Sequence, residues 1–193
     1  MIRPLTLILG LVLTLATLGL GAAANGLWRA DPENFRAERI LLPDATMLDK
    51  SGTPFRLRGD IGDDALVVIN FSYTTCGSIC PLGNQILQFV DERRDEIGRE
   101  VHLLTITIDP ANDTPEVMRA SAEAFGASGN WHWLTAAPGV IAEILRAADA
   151  STADIESHDP VFLVGDMDTG RYFRSLSLPD ADELIAMLDR FDA

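Results

Sequence analysis

The sequence predicts an α/β domain in which a central sheet carries helices on its faces. Three observations lead there. Residues 66–71 and 101–108 are continuous apolar, β-branched runs, as expected of strands buried on both faces. Each is followed by a stretch of helical periodicity, one after Pro81 and one after Thr114. Strand and helix then keep alternating to the C-terminus, which is the pattern of a sheet covered by helices.

Taken in order, residues 5–24 carry no charge and follow Arg3. A run of about 20 mostly apolar residues is long enough for a transmembrane helix, and Ala22-Ala23-Ala24 also suits the end of a secretory signal. Length favours an uncleaved anchor; either way the remainder is exported, in a bacterial-like host to the oxidising periplasm. Residues 25–39 mix charge, proline and aromatics without period and read as a spacer. The domain is expected over 40–193 and opens with a β-hairpin, residues 45–48 and 54–57 around Asp49-Lys50-Ser51-Gly52.

The strand at 66–71 runs directly into the cysteines. After them, Leu82, Ile86, Leu87, Phe89 and Val90 have helical spacing, with Pro81 in the first turn and charges at 91–94. The strand at 101–108 leads to a helix capped by Asp113 or Thr114, with Pro115 at its first position and Glu116 in its first turn. A helix at 139–148, a strand at 161–164, a turn at 168–170, a strand at 172–175 and a helix at 180–191 complete the domain. No internal repeat or second domain is visible.

The 193 residues are 47% hydrophobic and 23% charged, a globular composition. Lys+Arg 15 against Asp+Glu 29 gives a net charge of -14, which repels phosphate backbones and argues against a nucleic-acid partner.

Cys76 and Cys80 are the only cysteines, and they sit at a strand-to-helix junction. At helical spacing their Cα atoms lie about 6 Å apart, inside the bridgeable range, so the pair can open and close with little backbone movement. A loop this short stabilises by only about 2 kcal/mol, a poor return for a structural staple. A helix N-terminus lowers a thiol's pKa, and thiolates do redox chemistry or bind soft metals. Of the three histidines, His102 lies within a strand and His132 between two tryptophans, where packing or surface roles are the expectation. His158 precedes the strand at 161–164; in a parallel sheet that loop can approach the loop after Phe71, where ligands tend to bind. Two thiolates and an imidazole suit Cu(I) and fall one ligand short of the usual structural zinc set. Met47, Met118, Met167 and Met187 are scattered and read as filling residues.

Phe71-Ser72-Tyr73-Thr74-Thr75-Cys76-Gly77-Ser78-Ile79-Cys80-Pro81, then Thr107-Ile108-Asp109-Pro110-Ala111-Asn112-Asp113-Thr114-Pro115-Glu116, then Trp133-Leu134-Thr135 and His158 resemble the SCO/SenC family over about residues 40–193. The resemblance implies a thioredoxin-like fold with a central mixed sheet, tethered to a membrane and facing the periplasm. It implies a copper ion held by Cys76, Cys80 and His158, and delivery of that copper to the binuclear copper centre of cytochrome c oxidase. The expected partners are the copper-accepting oxidase subunit, a thiol–disulfide reductant, and the membrane through residues 1–24.

The rival reading is a thiol–disulfide oxidoreductase acting through Cys76 and Cys80, with Cys76 attacking, and keeping the oxidase subunit's cysteines reduced. Peroxide reduction is a third. Asp113 and Thr114 read as helix caps and Asp109 as a strand end, or Asp109 lies near the cysteines and tunes them. The segment after His158 is one residue shorter than usual for the family, and Pro160, directly before a strand, resembles the cis-proline that redox thioredoxin-like proteins place beside their cysteines.

Overall fold

The computed structural model describes residues 33–191. They form an eight-stranded mixed sheet built from β1 (Phe35–Arg39), β2 (Thr46–Asp49), β3 (Pro54–Arg56), β4 (Leu66–Ser72), β5 (Val101–Thr107), β6 (Trp131–Thr135), β7 (Phe162–Asp166) and β8 (Arg171–Ser175). The spatial order is β1-β8-β7-β4-β5-β6-β2-β3. Strands β4, β5 and β6 run parallel, and β7 pairs antiparallel with β4. The helices are α1 (Ile79–Arg93), α2 (Pro115–Ala124), α3 (Pro138–Ala147) and α4 (Ala181–Asp189).

All seven residues of β4 and of β5 are buried, so their side chains feed cores on both faces. Val67, Ile69, Phe71, Leu104 and Ile106 pack with Ile141 and Ile144 of α3 and with Met47 and Phe55 of the hairpin. Leu66, Val68 and Leu103 pack on the other side with Leu87 of α1, Met118 of α2 and Leu184 of α4. Burial of this kind stabilises by roughly 25 cal/mol per Å² of apolar surface and dominates the folding energy. Met47, Met118, Met167 and Met187 are all buried, the filling role expected of them.

The hairpin forms as expected, with Met47 opposite Phe55 and Gly52 at a φ of 81° in the turn. Thr114 caps α2, its hydroxyl accepting from the Val117 amide, and Asp180 and Glu183 make a reciprocal capping box on α4. Helix α1 starts at Ile79, so Pro81 falls at the third helical position, where its missing N–H has no intrahelical partner to lose.

Five points of the sequence reading need correction or limit. Residues 35–39, read as spacer, are edge strand β1 against β8; its exposed Arg36 and Arg39 and half-buried Glu38 suit an edge strand and hide the strand signal. Strand β6 carries Trp131 and Trp133 to one face and His132 to the other, a period of two that the tryptophans' role as a motif obscured. The strand after His158 is antiparallel to β4, not parallel. No peptide bond among the described residues is cis, so Pro160 follows a trans bond and the thioredoxin-type proline feature is not present. The expected membrane segment at 1–24 lies outside the described residues; among those described, no helix is long and apolar enough to cross a membrane.

Candidate functional site

Helix α1 begins at the end of β4, and the chain between them, 73–78, carries the first cysteine. The Ser78 side chain makes no capping bond. Instead the Cys76 sulfur accepts from the Cys80 amide at 3.3 Å, and the Ser78 hydroxyl lies 3.8 Å from it. The sulfur of Cys76 thus occupies the place of a capping oxygen, at the positive end of a 15-residue helix whose first turn holds no acidic residue. Both cysteines are buried free thiols. The Asn70 amide donates to the Asn84 carbonyl oxygen at 3.0 Å, tying α1 to β4 beneath them.

The two sulfurs differ sharply. Burial opposes ionisation of Cys76, but bonds from the Cys80 thiol, the Ser78 and Cys80 amides and the Ser78 hydroxyl outweigh it and bring the thiol down to about 7. Burial, together with the hydrogen bond donated to Cys76, pushes Cys80 up to about 12. Around neutral pH Cys76 therefore becomes a thiolate while Cys80 stays a thiol, so that just above neutrality the pair holds one proton. This arrangement can attack a disulfide, or exchange its remaining proton for a soft metal ion.

His158 arrives through the antiparallel pairing of β7. The register Asn70↔Phe162 sets the start of β7 beside the end of β4, so a residue just before Phe162 stands over the mouth from which the cysteine loop leaves. His158 Nε2 lies 3.3 Å from the Phe71 carbonyl oxygen. A carbonyl only accepts, so Nε2 carries the hydrogen and neutral His158 keeps its lone pair on Nδ1. A carbonyl-anchored imidazole of this kind is the usual state of a metal-ligating histidine, whose second nitrogen is fixed by an outer partner. Tyr73 packs edge-on against the His158 ring at 5.7 Å, and its hydroxyl faces Cys76. Tyr73, Cys76, Cys80, Asn84 and Trp133 line a cavity of about 50 Å³. Among the described residues, no three His, Cys, Asp or Glu side chains are close enough together to hold a metal ion, so Cys76, Cys80 and His158 share one end of the sheet without being assembled.

Asp113 has a role the sequence did not reveal. It is 1% exposed and does not cap α2. Its carboxylate accepts from the Thr74 amide at 3.2 Å, from the Thr74 hydroxyl, and from the Thr107 hydroxyl at 2.6 Å. The second motif therefore braces the cysteine loop across the end of β5. Asp109 follows β5 and accepts from the Asn112 side chain at 2.7 Å. His102 and His132 lie at the other end of the sheet and bond to each other, Nδ1 to Nε2, at 2.9 Å. Both are packed as expected; that they pair was not foreseen, because their sequence separation hides the β5–β6 register.

A mixed sheet covered by helices on both faces, with a Cys-x-x-x-Cys dithiol where a strand enters a helix, defines a thioredoxin-like protein. The SCO1/SenC family model matches residues 46–167, and the chain belongs to that family. Among solved structures it is similar to BsSco, described as having a disulfide switch and as a member of the Sco family of cytochrome c oxidase assembly proteins: TM-score 0.67, 20% identity, 80% of this chain and 95% of that one. A SCO1/SenC family lipoprotein from Bacillus anthracis str. Ames gives TM-score 0.69 at 19% identity over 82% of this chain and 98% of that one. Yeast Sco1 with copper bound gives 0.65 at 19% identity over 80% and 94%. Comparison with curated protein sequences found no match.

Proposed function

We propose that this protein is a copper-binding assembly factor of cytochrome c oxidase, which holds one copper ion between Cys76, Cys80 and His158 and passes it to the oxidase's binuclear copper centre. The observation that carries this reading is the convergence of a low-pKa thiolate, a second thiol and a carbonyl-anchored imidazole on one end of the sheet. Two thiolates and one imidazole are soft donors suited to Cu(I), and the relationship to copper-bound yeast Sco1 supports it. Copper is cargo here: the dithiol must be reduced to take it up, so a thiol reductant is a further partner. Residues 1–24 anchor the chain to the inner membrane with the domain of 40 onward facing the periplasm, a placement consistent with the Bacillus lipoprotein relative.

The unequal sulfurs favour a second reading, a thiol–disulfide oxidoreductase for the oxidase subunit. The Cys76 thiolate attacks a client disulfide, one client sulfur leaves, and Cys80 then displaces the mixed bond. The client leaves as a dithiol and Cys76–Cys80 as a disulfide, with two electrons to be restored by a reductant.

The test is copper retention by the reduced full chain after desalting. Wild type should retain one Cu(I), and Cys76→Ser and Cys80→Ser should each retain none. Unchanged stoichiometry in both variants would overturn the copper reading.

A further inference from the structure

We propose, building on the copper reading, that Tyr73 is a gate residue: its ring keeps His158 on the Phe71 carbonyl and apart from the two cysteines, so the third ligand joins only after Tyr73 moves. Three geometric observations converge on it. His158 is already committed, its Nε2 bonded to a main-chain oxygen of β4 at 3.3 Å. The Tyr73 ring is packed against the imidazole at 5.7 Å with 68° between the planes, an edge-to-face contact that holds an aromatic ring in place. Tyr73 also lines the same small cavity as Cys76 and Cys80, whereas His158 is not among the residues lining it. Tyr73 therefore touches both the imidazole and the cavity of the dithiol, a placement that fits three ligands sharing a sheet end without forming a cluster.

The backbone beside Tyr73 is fixed by hydrogen bonds, whereas its side chain is positioned by contacts that rotation about its own bonds can break. Asp113 grips Thr74 through both amide and hydroxyl, and the Cys76 amide donates to the Tyr73 carbonyl at 3.3 Å, so the loop keeps its course. Tyr73 itself is only half-buried and can swing outward about its own rotatable bonds without unfolding that loop. Loading then has an order. Cys76 and Cys80 capture the metal first, Cys76 as its thiolate and Cys80 releasing its proton to solvent, and closure of His158 onto the metal follows as a slower unimolecular step. Release to a client runs the same steps backward: His158 returns to Phe71, leaving the ion on two sulfurs where an incoming thiolate can displace them.

The experiment has a metal-free arm and a metal arm, both on the reduced full chain in detergent. In the first, nitrogen-15 NMR reads the His158 ring. Wild type and Tyr73→Phe should show the Nε2–H tautomer, and Tyr73→Ala and Tyr73→Leu should shift toward the tautomer mixture of a free imidazole, with at least tenfold faster exchange of the Nε2 proton. An unchanged tautomer and exchange rate in both ring-deleted variants would overturn the gate. In the second, Cu(I) supplied as its acetonitrile complex is mixed by stopped flow. Wild type should bind in two phases, the slower one independent of copper concentration and missing in His158→Ala; that phase should be at least tenfold faster in Tyr73→Ala or Tyr73→Leu. A slow phase of unchanged rate would overturn the gate. If wild type holds no Cu(I), the copper reading fails separately, and the metal-free arm still decides whether Tyr73 restrains His158.

Discussion

At the scale of single residues, the two cysteines show how one helix terminus makes chemically unequal sulfurs from identical side chains. Cys76 receives donors and Cys80 supplies one, so a titration of alkylation rate should give one thiol with a midpoint near 7. Ser78→Ala removes a donor and should move that midpoint upward; an unmoved midpoint would show that the Ser78 hydroxyl does not reach the sulfur. Asp113→Asn replaces an accepting oxygen by a donor facing the Thr74 and Thr107 donors. That leaves a buried polar clash and should cost about 2–3 kcal/mol in urea unfolding. A loss under about half a kcal/mol would mean Asp113 does not brace the loop. Cys76, Cys80 and His158 stood out in the sequence as candidates because few other residues do their chemistry. Asp113 was not, since an aspartate before Thr-Pro-Glu already has a complete explanation as a helix cap, and only the fold shows Thr114 taking that place. Tyr73 was hidden for another reason: an aromatic beside a strand end reads as core until its neighbours are known.

At the scale of elements, the pairing direction of β7 decides the site. Had it run parallel to β4, the loop carrying His158 would lie at the opposite end of the sheet from the cysteines; antiparallel pairing places Phe162 beside Asn70 instead. Periodicity reveals that a strand exists and says nothing of its direction, which is why the sequence pointed to His158 by way of the wrong pairing. Edge strand β1 escaped because only Phe35 is buried at its start, whereas the fully buried β4 and β5 were plain. At the far end of the sheet, burial and the neighbouring His102 push His132 from 6.5 down to about 4. The unfolded chain takes up a proton on this residue near 6.5 and the folded chain only near 4. Stability should therefore be at full value above about pH 7 and fall by up to about 3 kcal/mol as the pH drops through that window. Denaturant midpoints measured from pH 7.5 to 4 should show the slope, and His132→Gln should flatten it; a slope unaltered in the variant would place its origin elsewhere.

At the scale of the whole molecule, the sheet's two ends have different tasks. One carries a histidine pair, with Phe55 of β3 packed at a tilt on His132 at 4.6 Å. The other exposes the carboxyl ends of β4 and β5, where the cysteine loop, its Asp113 brace and His158 meet. The overall charge of -14 argues against a nucleic-acid partner, and the cargo proposed for this protein is a copper ion. The central claim is that His158 joins the two cysteines in holding that cargo. It is tested most directly by titrating the reduced full chain with Cu(I) under a competing chelator, wild type beside His158→Ala. One copper per wild-type chain, held at least tenfold more tightly than in the variant, is the predicted result. Equal affinity in the two would contradict it, and would leave Cys76 and Cys80 as a redox dithiol with His158 outside the site.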